Sequence, residues 1–298
     1  MEVKIYRVNA FTEETFGGNP AGVVLNINGL TDNMMQSIAK EINLSETAFI
    51  TPLQRDNFDI RFFTPMCEVD LCGHATIATF YTLAKEGYIS PMKNGVKTVY
   101  QYTKSGKLAV EICFENRRVT KIFMEQGIPR KLGKIQDILP LSNSMGISVE
   151  DIGVLDKDIA PEIISTGLKD IILPIKTKEA LDSLTIDKEL LSKLSKRLGV
   201  VGVHAFYLPE LNSEVVYTRN FAPIVGIDEE AATGTSNGAL IYFLKENRLI
   251  KNNQLVSFQG EMMNRLSKIY CKIEEDNEVQ VIKVGGNAKL IISGTMFV

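Results

Sequence analysis

The chain has 298 residues, 45% of them hydrophobic and 23% charged, which suits a soluble globular protein of one large domain or two of ordinary size. A formal net charge of −3 without a lysine or arginine run gives no basis for binding nucleic acid or an anionic membrane surface. No stretch reaches the roughly 18 uncharged apolar residues of a membrane span.

The N-terminal MEVKIYRVNAF alternates apolar and polar residues and reads as a strand. It has no basic segment followed by an apolar one, so no signal peptide is expected and a cytoplasmic protein is. Further strand-like segments follow in GVVLNI, TAFITPL, FDIRFFT, KTVYQYT, KLAVEICFE and KIFMEQG. Between the fourth and fifth lies an apolar helix through Ala75, Ile77, Ala78, Phe80, Tyr81 and Leu83. After residue 130, KLGKIQDILPLSNSMGISVEDIG reads as a helix with a loop, and residues 177–199 read as surface helices. The second half supplies the strands EIISTGL, DIILPIK, AFYLPE, VVYTRNFAP, QLVSFQGE and LSKIYCKIE, and a strand-like tail over 279–298. It also supplies a second apolar helix, Ala239, Leu240, Ile241, Tyr242 and Leu244.

Residues 61–83 and 219–244 form an internal repeat. Both open Arg-x-Phe-x-Pro: Arg61, Phe63 and Pro65 match Arg219, Phe221 and Pro223. After a short insertion Glu68 matches Glu229, Gly73 matches Gly234, and Ala78, Tyr81 and Leu83 match Ala239, Tyr242 and Leu244. Upstream, TAFI (47–50) matches HAFY (204–207). A helix without a polar face must be buried. Many strands around one buried helix, twice over, predict an α+β chain of two pseudo-symmetric halves, each a mostly antiparallel sheet around its helix. The expected division is 1–126, completed by the strand 289–298, and 127–288, with the active site in the crease between them.

Each buried helix opens on glycine, in Cys72-Gly73-His74 and Thr233-Gly234-Thr235. A helix start presents unpaired N–H groups with partial positive charge, and glycine lets a ligand approach them. Plain capping, with Thr233 as N-cap, would explain one such turn. Two in repeat-equivalent places, one beside His74 and Cys72, point to a site for a carboxylate or an enolate-like oxygen. Glu46 interrupts an apolar stretch where a strand begins, either as a solvated strand end or as an acid/base. Glu68, Asp70, Asp228, Glu229 and Glu230 flank the two turns and are expected to be mostly surface charge. Cys67, Cys72, Cys113 and Cys271 form no Cys-x-x-Cys pair, and two histidines do not fill the usual zinc patterns, so no metal is expected. The expected role of the cysteines is that of small buried hydrophobes, with Cys72 the one to weigh further.

The segments GGNPAGVVL (17–25), SETAFI (45–50), RFFTP with DLCGHATIAT, STGL (165–168), EEAATGTSNG (229–238), FQGEMMNR (258–265) and VGGNA (284–288) resemble, in order and over nearly the whole chain, the phenazine-biosynthesis (PhzF-like) isomerase family. The resemblance implies the diaminopimelate-epimerase-like fold, a homodimer and no cofactor. That last implication accords with the absence of Gly-x-Gly-x-x-Gly. It implies Glu46 as the catalytic glutamate, His74 as the histidine beside the substrate, and Glu230 where the phenazine enzyme has aspartate. Thr235 falls where serine is usual. Asn19, Cys72, Gly73, Thr233, Gly234 and Thr235 are the implied substrate-binding positions. Cys72 stands where racemases of this fold carry a first thiol, and Thr233, a poor base, stands in the place of the second. The expectation is a cofactor-independent isomerase acting on a small carboxylate-bearing cyclic or amino acid, with Glu46 raised towards neutrality by desolvation. The alternatives are an amino-acid racemase or epimerase using Cys72, and a non-catalytic binding or partner protein on the same fold.

Overall fold

The computed structural model describes residues 1–276 and 279–298. The chain forms two compact units, Met1–Glu125 with Gly285–Val298, and Gln126–Val284. Among the described residues no helix is long and apolar enough to cross a membrane.

In the first unit β1 (Glu2–Ala10) pairs antiparallel with β2 (Asn19–Leu25) and with the C-terminal strand Ala288–Phe297. Helix α1 (Asp32–Ile42) then leads to β3 (Thr47–Pro52), which runs parallel to β2 and antiparallel to β4 (Asn57–Phe63). The short β5 (Glu68–Val69) precedes α2 (Gly73–Lys85), and β6 (Asn94–Thr103), β7 (Gly106–Glu115) and β8 (Arg118–Glu125) complete the unit. β6 is parallel to β4, and the last three strands are successively antiparallel.

The second unit repeats this plan. β9 (Arg130–Lys134) and α3 (Leu139–Met145) lead to β10 (Glu162–Ser165) and β11 (Lys169–Ile175). Helices α4 (Lys178–Ser183) and α5 (Lys188–Leu198) occupy the place of α1. Parallel to β11 runs β12 (Gly202–Tyr207), antiparallel to β13 (Val215–Ala222); β14 (Ile227–Glu230), α6 (Gly234–Glu246), β15 (Gln254–Gln259), β16 (Ser267–Asp276) and β17 (Val279–Gly286) follow. β15 lies parallel to β13, as β6 does to β4.

Alternation along the strands sends side chains to both faces of each sheet, so each sheet needs cover on both. One face packs on the buried helix. Phe80 of α2 meets Phe58 edge-on at 5.7 Å, and Phe243 of α6 meets Phe206 at 5.5 Å. The other face packs on the outer helices: Met35, Ile38 and Ala39 of α1 cluster with Val24, Phe49 and Phe63, while Leu141, Leu181, Leu191 and Leu194 cluster with Ile171, Leu173 and Val203. An Arg–Glu clamp recurs in both units. Arg61 holds Glu68 through Nε and Nη2 at 2.7 and 2.9 Å, and Arg219 holds Glu229 in the same way at 2.9 and 2.8 Å. Each arginine also fixes an outer helix, Arg61 through Asp32 and Arg219 through the carbonyls of Leu181, Asp182 and Leu184. Glu68 and Glu229 are thus structural partners, not free surface charge.

Three local expectations need correction. Residues 130–134 are a strand paired to β10 and not part of a helix, because the helix begins only where Pro140 supplies a suitable first turn. Helix α1 has no counterpart in the expected elements. Its signals are present nonetheless: Thr31 accepts from Met34 N–H, and Met35, Ile38 and Ala39 are spaced for one buried face. Cys72 and Cys271 are buried as expected, but Cys67 is exposed and Cys113 half-buried.

Beneath the start of α6, His204 is fully buried, and its Nδ1 lies 3.3 Å from Asn220 Nδ2. Asn220 also donates to Ser236 Oγ, and Ser236 donates to Asp170 Oδ2 at 2.5 Å. Burial pushes His204 down from 6.5 to about 3, against a smaller opposing effect from Asn237. The unfolded chain therefore binds a proton between these pH values that the native chain does not, and stability rises with pH across that window. Burial moves Asp170 in the opposite sense, upward. Comparing wild type with His204→Gln isolates the histidine: the wild-type stability should fall more steeply on acidification below pH 6.5, by about 1.4 kcal/mol per pH unit, as read from urea unfolding at a series of pH values.

Candidate functional site

The first unit brings Glu46, Cys72 and His74 together at the start of α2. Gly22 N–H donates to the Glu46 carbonyl at 3.0 Å, which fixes the residue at the entrance to β3. Cys72 is the N-cap of α2 with extended backbone, yet its side chain accepts no capping hydrogen bond. His74, in the first turn, has only 6% of its side chain exposed. Its Nε2 lies 3.1 Å from Glu46 Oε2 and 3.2 Å from Ser45 Oγ, and its Nδ1 lies 3.5 Å from Cys72 Sγ. Glu46 Oε2 is buried and within ion-pair range of the ring, but the approach lies outside hydrogen-bond geometry. Glu46 is therefore not a solvated strand end.

The electrostatics differ from the expectation for Glu46. Burial raises its carboxyl, but the charge of His74 and the polar groups of His74, Ser45 and Cys72 close to it outweigh burial and hold it below the ordinary carboxylate range. His74 moves the other way. Burial opposes its charge, yet the neighbouring Cys72 and Glu46 raise it well above 6.5. Cys72 is pushed up by burial and by the Glu46 charge, so it is a thiol at neutral pH rather than a thiolate activated by the helix end. The resting arrangement is a carboxylate, an imidazolium and a thiol.

In the second unit Thr233 is the N-cap of α6, and it too makes no side-chain cap. Its hydroxyl instead donates to Glu230 Oε2 at 3.3 Å and accepts from Gln259 Nε2 at 3.2 Å. Gln259 Nε2 also donates to the Glu230 carbonyl at 2.7 Å, and Gln259 Oε1 accepts from Asn237 Nδ2 at 2.9 Å. Thr166, from the STGL segment, donates to the Thr235 carbonyl at 2.8 Å. Glu230, Thr233, Gly234 and Thr235 thus stand together in one turn. In the first unit Thr76 donates to the Cys72 carbonyl at 2.8 Å and reaches Gln101 Oε1 at 3.4 Å, much as Asn237 and Gln259 do in the second. Asn19 is buried at the start of β2, opposite Ala10 of β1. Ser45, Gln101 and Gln259 were not singled out from sequence. The only signal available was that Ser45 and Gln259 fall inside the SETAFI and FQGEMMNR segments.

The model of the family of phenazine biosynthesis-like proteins matches residues 8–294 of the chain. An uncharacterized isomerase of Clostridium acetobutylicum is 36% identical over 301 residues, covering 98% of this chain and 97% of that protein. The crystal structure of a Bacillus anthracis phenazine biosynthesis protein of the PhzF family is similar over 100% of both chains, with TM-score 0.87 and 27% identity. A hydroxyproline epimerase from Agrobacterium vitis, crystallised with trans-4-hydroxy-L-proline, shares the fold at TM-score 0.66 and 11% identity, covering 99% of this chain and 91% of that one.

Two kinds of glycine surround these turns. A Cβ on Gly22 would lie 2.6 Å from Thr47 Oγ1, closer than side chains tolerate, whereas one on Gly73 meets only Met124 Sδ at 3.6 Å and one on Gly234 only Val284 Cγ1 at 3.8 Å. Packing requires the first and does not require the other two. Gly22→Ala is expected to cost about 1–3 kcal/mol through overpacking. Gly73→Ala and Gly234→Ala are expected to be neutral or stabilising by up to about 1 kcal/mol from helix propensity. Urea unfolding of the three variants checks this.

Proposed function

Because the chain belongs to the phenazine biosynthesis-like (PhzF) family, whose curated relatives include proteins named as isomerases, we propose that it moves a proton within a small carboxylate-bearing substrate without a cofactor, Glu46 acting as base and then as acid. The fold is that of this isomerase family and its epimerase neighbours. One observation carries the finer reading: the buried Glu46 Oε2, 3.1 Å from His74 Nε2, has no hydrogen bond of its own to give up. Glu46 is ionised in the resting protein and so can accept a proton from a weakly acidic C–H, although the His74 charge lowers its basicity. His74 supplies the positive charge that faces the electron pair left on the substrate, and the N-terminal amides of α2 add to it. Glu46 then returns the same proton to a second carbon on the face from which it was taken.

The substrate class follows from a helix N-terminus that favours anions and a cationic imidazole beside it. Glu230, Thr233, Gly234 and Thr235 belong to this reading as groups that orient polar substituents, and Asn19 as a binding residue. The racemase alternative rests on Cys72, whose sulfur is 3.5 Å from a ring nitrogen able to accept its proton. Two features weigh against it: burial disfavours the thiolate, and the equivalent residue of the second unit, Thr233, has a hydroxyl in place of a thiol.

Incorporation of deuterium from D₂O, followed by NMR over a panel of amino acids and cyclic unsaturated amino acids, tests the proposal. Wild type should exchange a carbon-bound proton of at least one compound. Glu46→Gln should reduce that exchange by at least about a hundredfold, the ordinary scale of acid–base catalysis, with an unchanged circular dichroism spectrum. Cys72→Ala should retain it. Exchange lost in Cys72→Ala but kept in Glu46→Gln would transfer the chemistry to the thiol.

A further inference from the structure

Glu46, Cys72 and His74 offer three donors of different hardness, an oxygen, a sulfur and a nitrogen, all within 4.8 Å of one another. We propose that this cluster is a Zn²⁺ site, in which the ion takes one oxygen of Glu46, the sulfur of Cys72 and a ring nitrogen of His74. Bonds of about 2.0–2.3 Å at tetrahedral angles place neighbouring ligand atoms about 3.3–3.6 Å apart. His74 Nε2 lies 3.1 Å from Glu46 Oε2 and 3.9 Å from Cys72 Sγ, so these two edges need shifts of only a few tenths of an ångström, and the third edge is within 4.8 Å. A second observation is that Glu46 Oε2 is buried without a hydrogen bond and faces the His74 ring at 3.1 Å, so a metal ion that replaces the ring's proton keeps a positive charge against it and adds a direct bond.

The donor set selects the ion. A sulfur and an imidazole disfavour Mg²⁺ and Ca²⁺, which take oxygen ligands, and suit zinc, leaving the fourth position to solvent. The cluster draws on two elements, the entrance to β3 and the first turn of α2, so it needs no Cys-x-x-Cys spacing and escapes a search for one. Binding displaces the Cys72 thiol proton, and any proton on His74, into solvent. Zinc would also occupy the carboxylate assigned above to the proton shuttle and so inhibit it. That consequence rests on the proposed function, whereas binding does not.

The test uses the full-length protein, freed of metal by chelator, and titrates it with ZnCl₂ by calorimetry and with CoCl₂ by absorption. One Zn²⁺ per chain and a near-ultraviolet thiolate-to-cobalt charge-transfer band are expected. Cys72→Ala should weaken binding by at least about 100-fold, since the sulfur is the donor that selects the ion, and abolish the band. Cys72→Ser, closest to the thiol in shape, should abolish the band as well. Cys67→Ser should keep both, Cys67 being the exposed cysteine. MgCl₂ should give no heat. Absence of saturable Zn²⁺ binding, unchanged binding and band in both Cys72 variants, or loss of both in Cys67→Ser would overturn the assignment. None of these outcomes touches the deuterium experiment, which is run in chelator.

Discussion

A helix that buries nearly all its side chains leaves its own ends as the places where its polar backbone must be answered from outside. Helices α2 and α6 are each 13 residues long, and each buries nine residues, among them nearly all the apolar ones. The sheets exist to enclose them, and the outer helices exist to cover the sheets. The Arg61–Glu68 and Arg219–Glu229 clamps tie strand to outer helix in both units. Neither N-cap side chain answers its helix, so the first-turn dipole is spent on whatever sits before it. In the first unit that is a carboxylate, an imidazole and a thiol.

Burial is the largest single influence on each of those three groups, yet for Glu46 and His74 their neighbours together outweigh it. Desolvation alone would make Glu46 a neutral acid and His74 a neutral ring. The pair reverses both tendencies, because each charge is the other's compensation at 3.1 Å. Cys72 shares His74 as a partner at 3.5 Å, but burial and the Glu46 charge outweigh it, disfavour the thiolate and together keep Cys72 protonated. A single burial argument, applied residue by residue, gives the wrong sign for Glu46.

Much of the architecture was legible because repetition is a long-range signal written in short-range matches. Arg61 with Arg219 and Glu68 with Glu229 could be aligned in sequence, and the clamps they form explain why both members are present. Glycine at two helix starts marked the turns correctly. What the residues did not reveal were partners distant in sequence. Gln259 reaches back to Glu230 and Thr233, and Gln101 to Thr76, only after strands β15 and β6 are in register. Helix α1 carries its own local signals, the Thr31 cap and the spacing of Met35, Ile38 and Ala39, and was legible in principle. The strand at 130–134 has all five residues exposed and no inward–outward alternation, so no periodic signal could have identified it.

The second unit serves as an internal control for the first. Both units solve the same folding problem: a buried 13-residue helix with an extended N-cap, no side-chain cap, a polar residue in the first turn bonded to the N-cap carbonyl, and a glutamine from a following strand. The second does so with Thr233 and Thr235 where the first has Cys72 and His74. A helix of this kind therefore needs neither a thiol nor an imidazole to form. A buried, charged histidine is a costly way to start a helix, and the threonine turn shows that a cheaper one works in the same surroundings. Folding thus does not account for Glu46, Cys72 and His74 in the first unit. A residue set that folding does not explain, with perturbed and mutually dependent charges at a helix N-terminus, marks a candidate functional site.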